Sequence, residues 1–343
     1  MRVTSRTLFE RWPLAGLAVM AGWFAAAPLL AQVPPESGRI SFQIATGPVS
    51  GSYLQAGDAI AFIVSHPPGL ARCDIKGVCG PKGLIATTRS SGGSVANAAN
   101  VERGGVQSAI VQGDIAQAAL NGLGPFKGGA MKNLRAIARL HDETLHLVVS
   151  TRSQIKRLKD LSGKRIAIDV SNSATDYSVR AVLTAAGLRP YRLRLKMITA
   201  DMAADEIRSG RLDAFFVIGV APIPTVDHLI RRGQARLAGL EAKAIASLAR
   251  KSAMYGKVVI PGDTYRGSKP VATLSLASVW VVNRSQPAAT ISQILRSLWN
   301  PANRAELRRR GKFALTLDPK GAAENLPLPL HEGAQRFYAQ AGR

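Results

Sequence analysis

Short apolar runs alternate along this chain with segments whose apolar positions recur at helical spacing. The runs Ile40–Thr46, Leu84–Thr88, Val106–Gln112, Lys164–Val170, Tyr191–Ile198 and Leu212–Ile218 read as strands. The segments Tyr53–Ser65, Val95–Arg103, Asp114–Leu120, Thr175–Ala186 and Ala200–Arg208 read as helices, and Pro224–Arg231 starts another. Asp114 is expected to cap its own helix. Leu134–Leu140 and Leu145–Ser150 predict two further strands joined by a turn near the crossing between lobes, and Ile155–Leu161 predicts a basic helix. Repeated strand–helix units imply mostly parallel sheet with helices on both faces. From about Ala242 the order changes. Val258–Ile260, strand material over Val271–Val282 and helices near Ile291–Leu298 and Ala302–Arg310 predict a return to the first lobe. The expected fold is α/β and two-lobed, with residues 32–143 plus 245–343 in one lobe and 144–244 in the other. Ligands of such a fold sit in the cleft between lobes, at the carboxyl ends of the strands.

Three of the strand-to-helix corners are rich in Ser, Thr and Gly: Thr46-Gly-Pro-Val-Ser-Gly-Ser-Tyr53, Ser90-Ser-Gly-Gly-Ser-Val-Ala-Asn97 and Ser171-Asn-Ser-Ala-Thr-Asp176. A helix N-terminus leaves backbone N–H groups unpaired and carries a partial positive charge, so each corner is suited to an anion. Gly and Ser in such places also serve simply as turn and cap residues. What raises these corners above that reading is that each follows a strand and opens a helix, with Ser52, Ser94 and Thr175 placed to cap or to donate. None carries an obvious catalytic residue, which points to binding.

Other chemistry is poorly supported. No Gly-x-Ser-x-Gly elbow, phosphate loop or dinucleotide fingerprint occurs. Asp142-Glu143 and Asp205-Glu206 are sequence neighbours and so do not share one face of a helix or strand. The turn expected at Leu140–Leu145, with His141 and His146, suits structure or ligand contact better than a metal. No metal and no cofactor is expected. The formal charge of +23 is spread along the chain, with Arg308-Arg-Arg310 and Lys312 its clearest patch. With few aromatics and no nucleic-acid motif, it reads as a solvated surface that attracts anionic ligands or partners.

The N-terminus is read apart from the globule. Arg2, Arg6 and Arg11 precede the apolar stretch Leu14–Leu30, which ends at Ala31-Gln32, as in a secretory signal peptide cleaved near Ala31. Its removal takes three Arg and one Glu and leaves a charge of +21. A retained anchor is the alternative. Cys73 and Cys79, the only cysteines, can close a small surface loop in an oxidising compartment. Both features predict export.

At the corners the sequence resembles a known family. Ile44-Ala-Thr-Gly-Pro-Val-Ser-Gly-Ser-Tyr53, Gly92-Gly-Ser-Val-Ala-Asn97 and Ala109-Ile-Val-Gln-Gly-Asp-Ile-Ala116 resemble the TAXI-type solute-binding subunits of tripartite ATP-independent periplasmic (TRAP) transporters. Leu134–Val149, Leu158–Ile166, Gly210–Phe216, Val259–Tyr265 and Leu328–Ala334 continue the match in order. The resemblance implies a type II periplasmic-binding-protein fold, without enzymatic activity, that closes around a small organic anion, a carboxylate or amino acid, and is read by a membrane permease. It implies ligand contacts from Gly51, Ser52, Tyr53, Ser94, Val95 and Gln112 in the first lobe and from Asn172, Ser173, Ala174 and Thr175 in the second. The last corner departs from the family's Gly-Ser-Gly-Thr-like run, and Ala174 adds a methyl where the family has Gly. The carboxylate would be held by neutral donors, with Arg89 and Arg139 as possible charge partners. A monomer is expected, with no nucleic acid as partner. A sensing receptor for a signalling partner, and an enzyme acting on a small acid, are the alternative readings.

Overall fold

The computed structural model describes residues 38–48, 51–310 and 321–341. The signal segment expected over residues 1–31 and Lys312 of the basic patch lie outside the described residues. From Gly38 onward the chain is one compact unit.

Its frame is a mixed sheet that two long strands run through. Strands β1 (Ile40–Ala45), β2 (Leu84–Arg89), β3 (Ser108–Gln112), β4 (Leu134–Ser150), β5 (Arg165–Ala167), β6 (Arg194–Lys196), β7 (Ala214–Gly219), β8 (Ala235–Ala238), β9 (Tyr255–Ile260) and β10 (Val271–Asn283) order as β2-β1-β3-β10-β4-β7-β5-β6, with β8 on β4 and β9 on β10. The α/β class agrees with expectation, but among the ten strands parallel pairing is confined to the outer ones: β1 with β2 and β3, and β5 with β6 and β7. The pairs made by β4 and β10 are antiparallel. These two strands cross between the halves of the molecule instead of returning through helices, which removes the parallel constraint.

Period-2 alternation shows how the core is divided. On β10, Trp280 and Val282 point into a cluster with Phe42, Ile60 and Ile294, while Val279 and Val281 point to the opposite face with Val101 and Ile115. On β7, Ala214 and Phe216 join a cluster with Leu147, Ile166 and Val182, and Phe215 faces the other way, against Ala203 and Val226. Strand β4 serves both halves. Leu134–Leu140 packs in the first pair of clusters and Leu145–Val149 in the second pair. The turn expected between them is absent. His141–Thr144 continues one strand, held by Ser278, whose Oγ donates to His141 O (2.6 Å) and accepts from His141 N (3.1 Å).

Helix α7 (Ala242–Lys251) buries Ala244, Ile245 and Leu248, and together with Tyr255, Leu274 and Leu276 they join the cluster around Val182 and Phe216. Further along β10, Val279 and Val281 join the cluster of Val101 and Ile115 instead. Sequence pattern sees only that strand–helix alternation has ended. Where the chain crosses depends on which apolar faces meet. The basic helix expected at Ile155–Leu161 shrinks to one 3₁₀ turn at Leu158–Leu161.

Candidate functional site

The corners become helix starts in the structure. Helices α1 (Ser52–Val64), α2 (Ser94–Glu102) and α4 (Ala174–Ala185) begin at them, and α3 (Gly113–Asn121) follows β3. Gly93 sits at φ 86°, a left-handed backbone that favours glycine and lets the chain turn into α2. Helices α5 (Ala200–Arg208) and α6 (Pro224–Arg231) start the same way after β6 and β7. All of these corners except the start of α3 bring two or more residues to one cavity of about 540 Å³; from α3 only its N-cap, Gln112, reaches it.

Of the residues expected to contact ligand, Gly51, Ser52, Tyr53, Ser94, Gln112, Ser173, Ala174 and Thr175 line this cavity. Val95 and Asn172 do not. Val95 is half-buried against the apolar cluster of Val101 and Ile115, because the second position of α2 faces the sheet. Asn172 is exposed at φ 62°, and its N–H donates to Asp176 Oδ2 (3.1 Å). The cap of α4 is Ser173, whose Oγ accepts from Asp176 N (3.0 Å), and Thr175 is left free to face the cavity. Ser94 is not a side-chain cap either. Its hydroxyl accepts from Gln112 N at 3.0 Å and ties α2 to the end of β3. Neither Arg89 nor Arg139 reaches the wall: Arg89 is exposed, and Arg139 pairs with Asp142 (2.6 Å).

Several wall residues were not among the expected contacts. Glu143 is the most consequential. It is 6% exposed and lines the cavity, and Ser52 Oγ donates to its Oε1 at 2.6 Å. The Tyr53 hydroxyl bonds the same carboxylate, and burial pushes the Glu143 carboxyl above its ordinary range despite both donors. Burial and the nearby Glu143 charge likewise push the Tyr53 phenol up. The neighbouring Asp142 lies on the opposite, exposed face of β4. Asp169, Thr199, Asp201 and the segment Phe216–Thr225 also line the cavity. Their signal was present in the sequence: each belongs to a strand–corner–helix unit, but these corners lack the Ser/Gly richness that drew attention to the other three. Asp169 is half-buried at φ 71°. Asp201 is exposed in the first turn of α5 and accepts from Thr225 Oγ1 (2.7 Å).

Behind the wall lies a buried polar junction. Asp114, 4% exposed, accepts from Gln112 Nε2 (2.6 Å) and Ile115 N (2.8 Å) on one oxygen, and from Ser178 Oγ (2.6 Å) and Tyr255 OH (2.8 Å) on the other. Asp114 is not the cap expected of it: α3 starts one residue earlier, with Gln112 as N-cap and no side-chain cap bond, and Asp114 instead joins β3, α3, α4 and β9. A second junction fixes the floor beneath Phe216–Thr225. Tyr265 OH accepts from Ile223 N (2.8 Å) and donates to His146 Nε2 (2.9 Å), while His146 Nδ1 donates to Thr144 O (2.9 Å).

Among the described residues, the cavity wall contains no His, Lys, Arg or Cys, and no group of three or more His, Cys, Asp or Glu is placed to hold a metal ion. Cys73 and Cys79 form a disulfide. Among the described residues no helix is long and apolar enough to cross a membrane.

The solved structure of the periplasmic binding protein BugD resembles this fold, with 11% identity over 88% of this chain and 94% of that one, at a TM-score of 0.50. A TctC solute binding protein from Polaromonas aligns over 90% of this chain and 99% of its own, with 14% identity and a TM-score of 0.49. The alkanesulfonate-binding protein SsuA from Xanthomonas axonopodis pv. citri, bound to MOPS, aligns over 88% and 84% with 15% identity and a TM-score of 0.44. At these identities the likeness concerns the fold alone. The model of the NMT1-like family matches residues 44–342, nearly the whole described fold, and the chain belongs to that family.

Proposed function

We propose that this chain is an exported, non-enzymatic receptor that captures a small organic solute bearing a carboxylate and delivers it to a TRAP-type secondary-active permease. The observation that carries this reading is the convergence of five helix N-termini, those of α1, α2, α4, α5 and α6, on one cavity of about 540 Å³. N-terminal N–H groups stabilise an anion without a basic side chain. The wall draws on both halves of the molecule, so a solute that touches both favours the closed arrangement by its differential affinity. In this reading the lobes meet near residues 143 and 277, which the clusters that each stretch joins support. The permease partner, periplasmic location and monomeric state rest on the sequence motifs that resemble the TAXI-type subunits.

The test is native mass spectrometry of the protein isolated from the periplasm, followed by thermal-shift titration of whatever small molecule is released. Ala174 lines the cavity at the first position of α4. Replacing it by Phe fills part of the cavity, so Ala174→Phe is expected to abolish retention of the solute while keeping the folded circular dichroism spectrum. Undiminished binding by Ala174→Phe would overturn the assignment of this cavity.

A further inference from the structure

The full charges on the cavity wall all have one sign. The chain carries 45 Lys and Arg against 22 Asp and Glu, yet among the described residues the wall holds Glu143, Asp169 and Asp201 and not one basic side chain. The three acids are not equivalent. Asp201 is exposed, and its charge is accounted for by the first turn of α5 and by Thr225. Asp169 is half-buried and closes the wall from the second half. Glu143 is buried on β4 where the strand passes from one half to the other, and its partners are two hydroxyls, Ser52 and Tyr53. Hydroxyl donors offset only part of the cost of taking a carboxylate out of water, and a cation offsets more.

The wall therefore offers two kinds of polarity in one space. Partial positive charge comes from the helix N-termini and full negative charge from side chains. A plain mono- or dicarboxylate satisfies the first and is repelled by the second, a discrimination worth a large factor in affinity inside a desolvated site. We propose that the solute also carries a protonated amine, with Glu143 as its counter-ion and Asp169 as a second acidic contact, so that this receptor selects amine-bearing solutes over the matching plain carboxylates. This inference rests on the reading of the cavity as a solute site. It makes Glu143 the residue that sets specificity. The raised affinity of Glu143 for a proton agrees with a carboxylate that lacks a cation until one is bound.

The test uses matched pairs in a thermal-shift and calorimetric panel: α-amino acids against the same carboxylates without nitrogen, for example leucine with 4-methylpentanoate and glutamate with glutarate. The expected result is binding by an amine-bearing member at least tenfold tighter than by its nitrogen-free counterpart. Glu143→Gln keeps the shape and an acceptor for Ser52, and is expected to weaken the amine-bearing member at least tenfold while changing the counterpart less than threefold. Asp169→Asn gives a second, partly exposed site for the same comparison, with a smaller loss of the same sign. Equal or tighter binding of the nitrogen-free member overturns this inference and leaves the receptor reading standing. If no member of either half binds and no small molecule is released from the isolated protein, both fall. If Glu143→Gln leaves the tenfold preference intact, the assignment of Glu143 is wrong.

Discussion

Asp114 offers the sharpest test of how the two halves are joined. Its carboxylate is 4% exposed and receives four donors from four elements, so its removal is felt away from its own helix. In Asp114→Ala two of these donors keep another acceptor: Gln112 Nε2 lies 2.7 Å from Ser178 Oγ, and Ser178 Oγ lies 3.0 Å from Ala174 O. The Tyr255 hydroxyl and the Ile115 N–H lose theirs. A stranded buried donor costs about 1–3 kcal/mol, so two cost roughly 2–6 kcal/mol. Relief from holding a desolvated carboxylate, whose proton affinity burial has raised, offsets part of this. The expected net loss is about 2–4 kcal/mol, read by urea denaturation followed by circular dichroism. A double-mutant cycle separates this from a general loss of packing. Tyr255→Phe alone is expected to cost about 1.5–3 kcal/mol, the range for a hydrogen bond to a charged group, and in the Asp114→Ala background to recover about 1–3 kcal/mol by removing the stranded hydroxyl. Additivity of the two substitutions within about 0.5 kcal/mol would refute the junction.

Two further expectations concern stability. The Cys73–Cys79 disulfide closes a loop six residues apart, so replacing both cysteines by Ser is expected to cost about 2 kcal/mol in loop entropy, checked as a lower urea midpoint that added reductant no longer moves. An unchanged midpoint would show that the anchors of Val78 O on Ser297 and Asn303 already fix the loop. Burial lowers His146 to about 4, below the unfolded value near 6.5, so the unfolded chain binds the extra proton first and the stability contributed by the neutral ring is lost as pH falls from 6.5 toward 4. Between pH 7.5 and 5 this amounts to about 2 kcal/mol. The raised carboxyls of Glu143 and Asp114 act with the opposite sign, so the quantity to measure is the difference in pH slope between the wild type and His146→Phe. Identical slopes would show that His146 is not held neutral.

What could be read from the chain was whatever neighbouring residues decide among themselves. Apolar period and turn chemistry marked the strand–corner–helix units, because caps, glycine turns and amphipathic faces act within a few residues. The corners at Ser52, Ser94 and Ser173–Thr175 were therefore visible in advance, as was the loop between Cys73 and Cys79. The tertiary structure decided everything that depends on which faces meet. It made Leu134–Ser150 a single strand, because Ser278 on β10 pairs with His141 in a stretch that looked like a polar turn. It buried Ile245, Leu248, Leu274 and Leu276 against Val182 and Phe216, a grouping that the end of strand–helix alternation near Ala242 does not reveal. It also separated two adjacent acids. Asp142 points to solvent and Glu143 into the cavity, a difference that a sequence of alternating faces allows but does not assign, since only the partner strand and the helix packed over it determine which face is inside.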